Sequence, residues 1–223
     1  MTSVKVTKQS SGWLLGLAAL MLLAWSSAPL ASEFRTGEHY RVIDSPKTVR
    51  DGEGVEIADV FWYGCPHCYT FKPMLDSWVA ANSEQARLVR LPAMVNRGWQ
   101  THGQAYYTAR ALGKAEELHG AIFDAIHQDG NRLNQRRALR DFFEQHGVEP
   151  EQFDSAWESF SVDAQLRRAR QLGSEYGIQG TPSVVINGRY MTSPSMVGNY
   201  QDFFRLLDEL LAREQARMAE TET

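Results

Sequence analysis

The sequence predicts an α/β protein: one sheet whose two halves are separated along the chain by an inserted run of helices. Three observations carry this. Residues 55–63 and 87–91 read as strands on either side of a helix starting at Pro66. Strand texture then disappears until residues 183–191. Between them, residues 101–176 hold only six Val, Ile or Thr and a single proline, Pro150. A helical block lying between strands is an insertion or a second lobe.

Taken in order, residues 1–31 stand apart from the fold. Lys5 and Lys8 precede an apolar run at 12–25, and no acidic residue occurs before Glu33. A basic segment followed by an apolar one is the pattern of a secretory signal. The run has 14 residues, short of the roughly 20 that span a bilayer. Cleavage is expected after Ala31, although Pro29 stands where a small residue is usual; a retained anchor is the alternative. A cleaved, exported chain works where disulfides form and persist.

Residues 55–63, rich in β-branched and aromatic types, make the first strand, and Gly64 ends it. Phe71, Met74, Leu75, Trp78 and Val79 then recur at helical spacing. Pro66 suits a first helical turn, whereas Pro73 should kink the helix. Pro92 closes the strand at 87–91. In the block, Ile122, Phe123 and Ile126, then Leu139, Phe142 and Phe143, then Phe153, Ala156, Trp157 and Phe160 mark helical faces. Gly113, Gly130, Gly147 and Gly177 fall at C-cap positions, giving about five helices. His102, Glu116 and Glu117 are expected on helix surfaces or caps. Residues 183–186 return to strand, and Asn187-Gly188 turns the chain into 189–191. A last helix, capped by Asn199, carries Phe203, Phe204, Leu207, Leu210 and Leu211 on one stripe. The polar tail after Arg213 is expected to fray.

Hydrophobic residues make up 43% of the 223 and charged residues 22%, which fits a soluble globular protein. A net charge of −4 advertises neither a nucleic-acid face nor a polybasic membrane patch. The two cysteines, Cys65 and Cys68, exclude a disulfide scaffold and a zinc site with three or four cysteines. Tyr69 stands where c-type haem attachment needs His. His39, His102, His119, His127 and His146 form no short ligand pair, so no metal is expected. A disulfide closing so short a loop would stabilise little as a structural staple. Redox chemistry is the reading left.

Cysteines at i and i+3 on a helix start share one face, so their sulfurs can join with little backbone movement. Cys65, nearest the helix terminus, sits where free N–H groups and the dipole favour a thiolate. Pro66-His67 between them adds a side chain able to donate a hydrogen bond or positive charge, lowering the Cys65 pKa further. A stabilised thiolate makes the disulfide an oxidant. Cys68, one turn in, can resolve a mixed disulfide. Pro182 lacks an N–H and could end a strand beside the sulfurs, leaving backbone free for substrate; an ordinary loop proline is the alternative. Asp59, six residues before Cys65, is expected on a buried strand with Arg87 or Arg90 as partner, or else solvated at a strand end.

Phe61-Trp62-Tyr63-Gly64-Cys65-Pro66-His67-Cys68-Tyr69, with Gly180-Thr181-Pro182-Ser183 and Val185-Ile186-Asn187-Gly188-Arg189-Tyr190 downstream, resembles the DsbA-type periplasmic thiol:disulfide oxidases. The likeness covers essentially the whole chain after the leader. It implies a thioredoxin fold from residues 32–98 and 177–223 with an inserted helical domain at 99–176. It also implies a cis peptide before Pro182 facing the cysteines, substrate binding at Thr181 and Pro182, and proton transfer tuned by Asp59. No cofactor beyond the Cys65–Cys68 disulfide is implied. The implied partners are unfolded cysteine-containing secreted proteins and a DsbB-type quinone-coupled membrane oxidase, and the expected state is a periplasmic monomer. A disulfide isomerase or reductant is the runner-up, and a non-catalytic chaperone-like module using the helical lobe is the third reading. Trp62, Tyr63, Met94 and Trp99 are divided between a peptide groove and the core, with the core favoured.

Overall fold

The computed structural model describes residues 1–3, 5 and 33–221. The leader expected over 1–31 lies outside the described residues, apart from 1–3 and 5. Five strands form one sheet in the order β1-β5-β4-β2-β3. They are β1 (Arg41–Val42), β2 (Val55–Phe61), β3 (Ala86–Pro92), β4 (Ser183–Ile186) and β5 (Tyr190–Thr192). Every residue of β2 is buried, Glu56 and Asp59 included, as befits a central strand covered on both faces. It runs parallel to β3 and antiparallel to β4, while β5 pairs antiparallel with both β4 and β1.

The strands on either side of β2 come from opposite sides of the helical block. That block contains α2 (Arg97–Ala111), α3 (Ala115–His127), α4 (Arg136–Gln145), α5 (Pro150–Trp157) and α6 (Phe160–Glu175). Gly177, at φ +63°, closes α6 in a conformation that L side chains avoid. Asn187 and Gly188 both have positive φ, 48° and 66°, the turn that joins β4 to β5 without splaying them. The alternation of β2 sends Val55 and Ile57 into a core with Phe71, Leu75, Phe203 and Leu207. Ala58 and Val60 enter a second core with Tyr107, Phe123 and Leu172 of the block. The helices supplying the first core are α1 (Pro66–Ala81) and α8 (Tyr200–Thr221).

Several expectations need correction. Strand β2 stops at Phe61, because Trp62-Tyr63-Gly64 turns the chain, with Cys65 N–H donating to the Trp62 carbonyl at 2.9 Å. The tail does not fray at Arg213. Glu214 is fully buried, receives hydrogen bonds from Asn187 and Arg217, each at 2.8 Å, and forms an ion pair with Arg189 at 3.2 Å. These charge-assisted contacts tie the last turns of α8 to the β4–β5 turn. His102 is buried rather than on a surface, its Nε2 3.1 Å from the Arg132 carbonyl. Strand β1 and the four-residue α7 (Pro194–Val197) were not foreseen; both are too short to show a period.

Candidate active site

The turn after β2 delivers Cys65 as the N-cap of α1, with extended backbone (φ −92°, ψ 112°) and Pro66 opening the helix. The Cys65 sulfur therefore takes the place of a capping oxygen and accepts the Cys68 N–H at 3.4 Å. No acidic side chain occupies the first turn of α1 to oppose negative charge there. Both cysteines are free thiols. Cys65 is 7% exposed and Cys68 only 3%, so an incoming sulfur meets Cys65 first.

The loop before β4 faces this cap. The Thr181–Pro182 peptide is cis, and the Cys65 thiol lies 3.5 Å from the Thr181 carbonyl. The sequence separation of 116 between these partners is bridged by the pairing of β4 with β2. Hydrogen bonding from the Cys68 side chain, with Thr181 and the N–H groups of Cys68 and His67 adding to it against burial, lowers the Cys65 pKa to about 5. Cys68 moves the opposite way, raised by its hydrogen bond to Cys65 and by burial. One sulfur is thus poised as thiolate and the other keeps its proton.

His67 supports Cys65 through its backbone N–H; its exposed side chain turns instead to a neighbouring cavity of about 410 Å³. Thr181, Pro182, Met191, Met196 and Tyr200 line the same cavity. None of Trp62, Tyr63, Met94 or Trp99 does. Tyr63 is buried, its hydroxyl 3.0 Å from His119 Nδ1. Trp62 stacks on Trp99 with ring centres 4.5 Å apart.

Asp59 is buried and paired with Arg90 at 2.5 Å. Arg90 also bonds Asp76 of α1, which pairs with Lys72 at 2.8 Å. Burial holds the Asp59 carboxyl above the usual carboxylate range, against the pull of Arg90. Among the described residues no hydrogen bond joins Asp59 to either sulfur. Arg87, the other candidate partner, pairs instead with Glu56 at 3.0 Å. Glu56 is fully buried and accepts the N–H groups of Val49 (2.6 Å) and Arg50 (3.0 Å). Sequence reasoning passed over Glu56. Its signal was the equal spacing of Glu56 and Asp59 on one strand and Arg87 and Arg90 on the next, which matches the parallel register Glu56↔Arg87 and Asp59↔Arg90.

Residues 86–210 match the family model described as a DSBA-like thioredoxin domain. Curated relatives named thiol:disulfide interchange protein DsbA include that of Pseudomonas aeruginosa, 33% identical over 202 residues, 90% of this chain and 96% of that protein. The Azotobacter vinelandii protein of the same name is 34% identical over 200 residues, 90% and 92% of the two chains. Among solved structures, Pseudomonas aeruginosa DsbA superimposes with a TM-score of 0.78 at 33% identity, covering 85% of this chain and 98% of that one. The oxidoreductase DsbA from Xylella fastidiosa gives 0.76 at 31% identity, with 82% and 98% covered.

Proposed function

The chain belongs to the DsbA family of thioredoxin-fold thiol:disulfide oxidoreductases, and from that premise we propose that its Cys65–Cys68 disulfide is donated to unfolded, newly exported proteins in the periplasm. A substrate thiolate attacks the Cys65 sulfur, forming a substrate–Cys65 disulfide and releasing Cys68, which takes up a proton. A second substrate thiolate then attacks the substrate sulfur of that bond. Cys65 leaves as a thiolate, and the substrate departs with its own disulfide. Both electrons end on the Cys65 and Cys68 sulfurs; of the two protons lost by the substrate thiols, one ends on Cys68 and the other in the buffer.

The observation carrying this reading is the Cys65 sulfur at the N-cap of α1, with its pKa lowered to about 5. A low pKa makes Cys65 the better leaving group in the second step. Burial of Cys68 keeps it protonated and slows its return attack on the mixed disulfide, so the intermediate lasts until the second substrate thiol arrives. Thr181 and Pro182 flank the sulfur and open on the cavity, which suits a peptide lying beside the reacting bond. Reoxidation of the dithiol is the work of a quinone-coupled membrane partner of the DsbB type, and the protein acts as a monomer.

Equilibration with glutathione buffers tests the direction of transfer. The Cys65–Cys68 couple is expected above about −180 mV, whereas a value near about −270 mV would make the protein a reductant.

A further inference from the structure

The wall of the cavity beside Cys65 is asymmetric in charge. Among the described residues it contains Arg41 and the imidazole of His67 and no aspartate or glutamate. Arg41 comes from the edge strand β1. One guanidinium nitrogen donates to the Gly177 carbonyl at 2.7 Å and lies 4.0 Å from the Met191 sulfur. Among the described residues no carboxylate pairs with it. An oriented guanidinium with donors to spare, set in a wall without acid, is built to take a carboxylate.

We propose that Arg41 is a specificity-determining residue, which selects substrate segments carrying an acidic side chain a few residues from the reacting cysteine. The inference rests on the disulfide-donating reading of the site. Its spacing follows from the sheet. Cys65 follows β2, Pro182 precedes β4, and Arg41 pairs with Met191 of β5, so the cation stands three strands across from the sulfur. Three inter-strand steps are about 14 Å, or roughly four residues of extended peptide. A peptide lying over Thr181 and Pro182 would place its residue about four from the cysteine against Arg41, while Met191 and Met196 meet the apolar side chains between. A lysine at that place would meet like charge, which makes the preference discriminating rather than merely adhesive.

The test uses dithiol peptides identical except for Glu, Gln or Lys four residues from the first cysteine, reacted with the oxidised full-length protein under stopped flow. The expected order is Glu, then Gln, then Lys, with Glu about fivefold faster than Gln at low salt. That ratio should fall toward one as salt rises from about 0.02 to about 0.5 M. Arg41→Gln should bring the ratio to about one, and Arg41→Lys should keep part of it. A wild-type ratio of one, a ratio indifferent to salt, or a ratio surviving in Arg41→Gln overturns the role of Arg41. The first two hold even if a variant fails to fold. Failure of the wild type to oxidise even the Gln peptide would instead bring down the oxidase reading itself.

Discussion

Cys65 and Cys68 are three residues apart and titrate in opposite directions, and that difference assigns their roles. On the proposed reading the more exposed sulfur, with backbone N–H groups around it, is the one that joins substrate in the mixed disulfide, and the buried one attacks that bond only to return the substrate. Cys68→Ala is therefore expected to accumulate mixed disulfides with substrate, and Cys65→Ala none; accumulation by the second variant alone would exchange the roles. Thiolate absorbance at 240 nm should titrate near 5 in the wild type, far below the free-thiol value of about 8.5. His67→Ala leaves the backbone N–H groups in place, so the Cys65 pKa should stay well below about 8.5. A full return to about 8.5 would move the whole effect onto the imidazole. At this scale the cysteines were readable because a short motif at a helix start carries its own physics. Glu56, Glu214 and His102 were not, because burial of a polar side chain depends on partners supplied by distant strands and loops.

Helix α1 must hold its terminus against the loop before β4, and its polar tie to the sheet is Arg90, which bridges Asp59 of β2 and Asp76 of α1. Removing Arg90 alone leaves a buried carboxyl without its cation. Arg90→Met is expected to lower unfolding stability by about 3–5 kcal/mol, while Asp59→Leu combined with Arg90→Met should recover most of the loss. Chemical denaturation of the two single variants and the double variant measures the coupling, and equal losses from Arg90→Met and the double variant would show that Asp59 does not depend on its partner. The reach of this tie was only half legible. The sequence offered Arg87 and Arg90 on the neighbouring strand, but a one-residue slip in register changes which side chains share a face, and only the paired strands settle it. Helix α1 itself, by contrast, announced its start through Pro66 and its buried face through Phe71, Leu75 and Val79.

Across the whole molecule, the order of pieces could be read from texture, but the sheet order could not, since Ile57 pairs with Ile186 across the entire helical block. That long-range pairing puts Thr181 against Cys65, and it makes the redox state a property of the fold's stability. In the reduced protein the Cys65 pKa is about 5, against about 8.5 in an unfolded chain. A depressed acid contributes stability that is complete above the unfolded pKa and is lost as pH falls through the folded one. At pH 7 the two-unit interval above the folded pKa favours the reduced fold by about 2–3 kcal/mol. The oxidised protein has no such thiolate, but its disulfide removes roughly 2 kcal/mol of loop entropy from the unfolded chain. The reduced form should therefore be the more stable one at pH 7 by about 1 kcal/mol, and the lead should widen toward about pH 8.5. Below about pH 6.5 the order should reverse, because the thiolate contribution falls under the roughly 2 kcal/mol of the loop constraint, which remains. Urea unfolding of both forms at about pH 4.5, 7 and 8 reads this directly, with the carboxylates common to both forms cancelling in the difference. An oxidised form that stays ahead at every pH would mean that the fold does not favour the Cys65 thiolate, and the disulfide would then have no thermodynamic reason to leave.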